Sequence, residues 1–154
     1  MERRDVHVQR KIAEVCFCLY LIVLIYYLLF AERDYLAKGY NVIPFAEITR
    51  YIRYHASLGA RLVVVNLGGN VIGFLPFGYL LPQMSSRFRR GMFVGGCCFL
   101  FSFCVEAMQL VLKVGCFDVD DILMNTVGSM LGYGLYLGVN AIRRKKNASK
   151  KEET

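Results

Sequence analysis

Four long stretches of this chain carry almost no charge, and they limit what it can fold into. Val15 to Ala31 has no charged residue, Leu62 to Ser86 has none, Gly91 to Leu112 has only Glu106, and Ile122 to Ile142 has none. An apolar run of about 18 residues or more is long enough to cross a bilayer as a helix. The expectation is an all-α polytopic membrane protein, a four-transmembrane-helix bundle with spans near 12–30, 62–82, 92–114 and 121–142. The 154 residues are 56% hydrophobic with a mean hydropathy of +0.40, too apolar for an ordinary soluble domain of this size. The length suits one domain, 1–154.

The first span is longer than a signal-peptide core of roughly 7–15 residues, and no small-x-small site follows it, so it reads as a signal anchor. The net charge of +7 does not point to nucleic acid. Thirteen of the 19 basic residues fall in three clusters: Arg3, Arg4, Arg10 and Lys11; Arg87, Arg89 and Arg90; and Arg143, Arg144, Lys145, Lys146, Lys150 and Lys151. Cytoplasmic loops collect Lys and Arg, so both termini are expected in the cytoplasm, with loops 31–61 and 115–120 outside. The basic tail, 143–154, suits contact with anionic lipid. Cys16, Cys18, Cys97, Cys98 and Cys104 lie within spans and Cys116 alone lies outside, which forms no exposed disulfide pair.

Loop 31–61 is not featureless. After Pro44, the residues Phe45, Ile48, Tyr51 and Ile52 recur at helical spacing with Arg50 and Arg53 between them. A short amphipathic helix at the membrane interface is expected there, with His55 as an interfacial polar residue. Span two carries Gly68, Gly69, Gly73, Pro76 and Gly78. Pro76 removes a donor for the Ile72 carbonyl, so a kinked or broken helix is expected. In span four, Gly128-x-x-x-Gly132 and Gly134-x-x-x-Gly138 suit tight helix packing, within the chain or between copies in a homo-oligomer.

Polar residues fall in stripes. Residues three, four and seven apart share a helix face, which groups Asn66, Asn70 and Gly73 in span two. The same spacing groups Ser102, Glu106, Gln109 and Lys113 in span three, and Asp121, Asn125, Gly128 and Gly132 in span four. At about 1.5 Å per residue, Asn70 and Glu106 lie roughly 12 Å, and Asn125 roughly 6 Å, from the outer ends of their spans. One outward-facing polar cavity accounts for all three stripes.

A charged carboxylate at mid-bilayer costs about 2.5–3.5 kcal/mol on insertion scales, so Glu106 must be protonated or paired. Lys113, Asn70 and Asn125 are the candidate partners. Burial favours the neutral form of a carboxyl group, which suits a proton carrier or general acid. Asp118, Asp120 and Asp121 suit the N-terminus of span four. Oxygen ligands for a divalent cation on Asp118, Asp121 and Glu106 are conceivable, but the spacing matches no known loop. No metal site is assigned and no cofactor is read from the chain. No Ser-His-Asp set, P-loop or His cluster is present.

The blocks "NVIPF" (41–45), "NVIGFLPFGYLLP" (70–82), "EAMQ" (106–109) and "FDVDDILMNTVGSMLGY" (117–133) resemble, in order and spacing, the VanZ-like family of small bacterial membrane proteins. The resemblance covers most of the chain. It implies a compact multi-helix membrane domain of mostly Gram-positive bacteria, with a founding member associated with teicoplanin resistance and little effect on vancomycin. By position, the family's characteristic residues fall on Asn41, Pro44, Phe45, Asn70, Pro76, Gly78, Glu106, Gln109, Asp118, Asp121, Asn125 and Gly128. Many members carry an Arg just before the Asp pair. This chain has Gly115 and Cys116 there, which puts anion binding in doubt, and Lys113 lacks the planar fork of an Arg.

The leading expectation is a binding or protective module in the bacterial cell membrane. It engages a membrane lipid, a lipid-linked envelope molecule or a lipoglycopeptide's acyl tail. Its candidate ligand-binding residues are Asn41, Asn66, Asn70, Glu106, Gln109, Asp118, Asp121 and Asn125. The alternative is an intramembrane enzyme acting on a lipid or envelope precursor through Glu106, Asp118 and Asp121. A transporter is the third reading, weakened by the absence of a visible internal repeat.

Overall fold

The computed structural model describes residues 2–31 and 39–152, so part of the loop expected outside, 32–38, lies outside the described residues. The chain opens with α1 (Glu2–Tyr26), which closes in a π-helical turn, Tyr27–Ala31. A two-residue strand β1 (Tyr40–Asn41) leads to α2 (Ala46–Arg53), the short helix expected in the outer loop. Two single turns follow, α3 (His55–Leu58) and α4 (Ala60–Val63), then a second π-helical turn, Val64–Gly68, and α5 (Gly69–Met84). A 3₁₀ turn, Ser86–Arg89, joins α5 to α6 (Gly91–Leu112). The strand β2 (Phe117–Asp118) precedes the long α7 (Val119–Glu152).

Among the described residues, four helices are long and apolar enough to cross a membrane: His7–Phe30, Val64–Met84, Gly91–Leu112 and Val119–Ser149. The all-α, multi-pass reading therefore holds, with shifted ends. The first span begins before residue 12, and α7 runs past 142 through the basic segment. Lys, Arg and Ala are good helix formers, and cations suit a helix C-terminus, so nothing stops the helix at Ile142. The share of buried residues in the most apolar window of each span is only 22–28%. Side chains such as Ile22, Val23, Ile72 and Val111 point outward, as lipid-facing residues must.

The inward faces interlock. Phe17, Leu24 and Leu28 of the first span meet Phe74, Phe77 and Leu81 of α5 and Val94, Cys98 and Val105 of α6. Phe77 anchors this core, edge-on to Phe17 at 5.2 Å and tilted against Phe101 at 5.6 Å between ring centroids. Against α7, α5 makes backbone-to-backbone contact. A Cβ on Gly78 would run into the Ser129 carbonyl, one on Gly128 into the Val71 carbonyl, and one on Gly132 into the Leu75 carbonyl. Gly128 and Gly132, which the sequence offers equally to a second copy, are thus taken up inside the chain. Around Gly134 and Gly138, no described atom lies within 4 Å of an added Cβ.

Span two differs from expectation. Its helix runs unbroken through Pro76 and Pro82. The irregularity sits earlier, in the π-helical turn Val64–Gly68, where Gly69 N–H reaches both the Val65 and Asn66 carbonyls. Further along, the Tyr20 hydroxyl donates to the Gly73 carbonyl at 2.7 Å, tying α1 to α5 just before the proline. Protein donors of this kind are what let a span carry irregular backbone.

Candidate functional site

At the end of the bundle where α6 ends and α7 begins, β1 and β2 pair in parallel, placing Tyr40 beside Phe117 and Asn41 beside Asp118. Two loops 77 residues apart in sequence are joined here by side chains as well. Asn41 Nδ2 donates to Asp118 Oδ1 at 3.0 Å, while Asn41 Oδ1 accepts from Ile43 N–H at 3.1 Å. Asp118 Oδ1 also accepts from Asp120 N–H at 2.8 Å, which makes Asp118 the N-cap of α7. From below, Glu106 Oε2 accepts the Asp118 N–H at 2.9 Å. Glu106 is 3% exposed. Its carboxylate holds the backbone of β2 in place, a partner that none of the sequence candidates anticipated.

Asp120 was not among the expected site residues, yet it is the most buried carboxylate described, at 1% exposure. Its Oδ1 accepts from Phe45 N–H, and its Oδ2 accepts from Glu47 N–H at 2.8 Å and Ile48 N–H at 3.2 Å. The N-terminal amides of a helix need acceptors, and its dipole favours an anion there. Phe45 precedes α2 in a left-handed conformation, φ 65°, and its side chain provides no cap. The acceptor comes from another helix instead. The signal in the sequence was the missing Ser, Thr, Asp or Asn ahead of "AEITRYIR".

Asp121 takes a third role, with Asn70 Nδ2 donating to its Oδ1. The three Asp residues thus divide the work: one caps its own helix, one caps α2, and one binds span two. Together they wall a cavity of about 70 Å³, which is room for a few waters or a small polar group. Glu47, Ile48 and Tyr51 of α2 close one side, Asn66 and Leu67 of the π-helical turn and Asn70 another, and Met124 of α7 completes it. The lining holds four carboxylates and no cation. Burial pushes the Asp118 carboxyl above its ordinary range, against the pull of the Asp120 N–H and Asn41 hydrogen bonds. Burial raises Glu47 as well, opposed by Arg50, whose guanidinium lies 2.9 Å away.

The single cavity expected from three stripes is therefore lined by two of them. Asn66 and Asn70 of span two and Asp121 of span four line it, joined by Asp118 and by α2; Asn41 steadies Asp118. The stripe of span three lies behind the wall. Gln109 Nε2 donates to the Leu28 carbonyl at 2.9 Å, tying α6 to the end of the first span. Asn125 Nδ2 donates to Ser102 Oγ at 2.8 Å, and Cys98 Sγ reaches the Asn125 carbonyl at 3.4 Å. Lys113 sits exposed at the C-cap of α6 and is not part of the lining. Among the described residues, no group of three or more His, Cys, Asp and Glu is placed to hold a metal ion. One oxygen each of Asp118, Asp121 and Glu106 accepts from an N–H donor.

Comparison with known proteins completes the picture. A family model described as VanZ/LLP1 matches residues 17–142. Protein VanZ of Enterococcus faecium is 30% identical over 127 residues, which cover 77% of this chain and 69% of that protein. No solved structure matches.

Proposed function

Since the chain belongs to the VanZ/LLP1 family, we propose that it works at the outer face of the bacterial cell membrane, with both termini in the cytoplasm. In this reading it protects against acylated glycopeptides of the teicoplanin type by engaging a lipid-linked envelope molecule, or the antibiotic itself, at the acidic pocket. The observation that carries the reading is convergence. Asn70 of block 70–82 and Asp118, Asp120, Asp121 and Met124 of block 117–133, far apart in sequence, line one cavity, and block 41–45 is bonded to its wall through Asn41 and the Phe45 N–H. Four carboxylates with no lining cation favour a ligand that presents amine, amide or hydroxyl donors over a bare phosphate. The lipid-exposed faces of α1, α5 and α6 beside it suit an acyl chain.

Binding is favoured over acid–base chemistry for a geometric reason. Glu106, the carboxylate an enzyme would need, is buried behind the pocket wall with its Oε2 on a backbone N–H. The test is equilibrium binding of teicoplanin, vancomycin and a purified lipid-linked cell-wall precursor to the full chain in lipid nanodiscs. Saturable binding of teicoplanin or the precursor, weakened about tenfold or more by Asn70→Leu, is the expected result. If neither ligand binds, or Asn70→Leu binds as the parent does, the pocket is not the ligand site.

A further inference from the structure

At the other end of α7, roughly 37 Å along the helix from Asp118, charge of the opposite sign collects. Arg87, Arg89 and Arg90 lie between α5 and α6, while Arg143, Arg144, Lys145 and Lys146 follow on α7. No Asp or Glu occurs from Ile48 to Val105 or from Ile122 to Lys151, so these cations have no carboxylate beside them in the sequence. The 3₁₀ turn is fixed against α7. The Tyr133 hydroxyl donates to the Arg89 carbonyl at 2.7 Å, and a Cβ on Gly91 would sit 3.0 Å from the Tyr133 ring.

A cleft of about 470 Å³ results. Arg89 lines it from the turn, and Tyr136, Leu137, Asn140, Ala141 and Arg144 line it from α7. Leu137, Asn140, Ala141 and Arg144 are spaced i, i+3, i+4 and i+7, one helix face. Two guanidinium groups facing one cleft repel each other unless an anion lies between them, and a guanidinium fork matches phosphate oxygens. The apolar side chains below them are of no use to a soluble anion.

We propose that this cleft binds the phosphodiester headgroup of an anionic phospholipid. Arg89 and Arg144 hold the phosphate, Asn140 and Tyr136 meet headgroup oxygens, and Leu137 and Ala141 carry the start of an acyl chain. The site is independent of the acidic pocket and of any ligand bound there.

Native mass spectrometry of the full chain in detergent, offered equal phosphatidylglycerol and phosphatidylcholine, tests it. One retained phosphatidylglycerol is expected, with phosphatidylcholine retained far less. Arg89→Gln with Arg144→Gln should weaken phosphatidylglycerol retention about tenfold to thirtyfold. Lys145→Gln with Lys146→Gln, which removes the same charge outside the cleft, should leave it within about twofold. Equal losses in the two double variants would mean diffuse attraction to the basic end, and the proposal would be wrong. Displacement of the lipid by millimolar inorganic phosphate would make this a soluble-anion site and overturn the lipid assignment. Equal retention of both lipids would overturn it too.

Discussion

Asp120→Asn should detach α2 from the bundle while leaving the spans assembled. The Asp accepts with both oxygens, one for Phe45 N–H and the other for the Glu47 and Ile48 N–H groups. Asn keeps one oxygen and turns an NH₂ donor toward the remaining amide, so at least one bond becomes a donor facing a donor. A hydrogen bond to a charged group contributes about 1.5–3 kcal/mol. An anion at a helix N-terminus adds about 0.3–1 kcal/mol where exposed and up to ~2 where partly buried.

Losing one bond and the charge should therefore cost about 2–3 kcal/mol of α2 docking, a factor of roughly 30–150 in the local opening equilibrium. The amides of α2 regain water when the helix lifts, so this cost falls on docking and not on the whole fold. Hydrogen–deuterium exchange in nanodiscs reads it directly. Amides 45–48 should lose protection by about that factor, while α6 amides near Glu106 stay within about twofold. Unchanged exchange at 45–48 would refute the cross-helix cap, and equal acceleration in α6 would show that Asp120 supports the whole bundle instead.

Three further outcomes follow from the geometry. Gly132→Ala drives a Cβ into the Leu75 carbonyl and should destabilise the bundle by about 1–3 kcal/mol, lowering its thermal midpoint in detergent, whereas Gly134→Ala, with open space around it, should not. Gln109→Leu leaves the buried Leu28 carbonyl without that donor and should cost about 1–3 kcal/mol, measured by the same melts. The raised carboxyls of Asp118 and Glu47 bind protons more readily folded than unfolded, so their ionisation opposes the fold. Protection of amides 45–48, corrected for intrinsic exchange, should accordingly fall as pH rises from the ordinary carboxylate range through the raised values, with a weaker slope in Asp118→Asn.

The spans were legible because a 3.6-residue helix with no charge over some 20 positions has few other options. The short helix after Pro44 was legible for a similar reason, its apolar residues recurring at helical spacing with arginines between. Partners were harder to read than elements. Stripe geometry places Glu106 on an inward face, and it is inward, but periodicity cannot show that its oxygen meets the Asp118 N–H from a loop 12 residues away. Asp120 reads in the sequence as a residue at the start of its own span, because the N–H donors it accepts from lie on a helix more than 70 residues earlier. The irregular turn at Val64–Gly68 carries no proline to mark it, whereas Pro76, which does suggest a kink, lies where the helix continues. Gly128 and Gly132 announce a close approach, and only the fold shows that α5 makes it.

The central claim is that the outer acidic pocket is where this chain meets its ligand. Its most direct test is teicoplanin susceptibility, with vancomycin alongside, in a susceptible Gram-positive host making equal levels of the intact chain, Asp121→Asn or Gly134→Ala. Asp121 lines the pocket and accepts from Asn70, while Gly134 faces open space far from it. The account predicts protection against teicoplanin but not vancomycin, lost in Asp121→Asn and kept in Gly134→Ala. No protection from the intact chain, or full protection from Asp121→Asn, would contradict it.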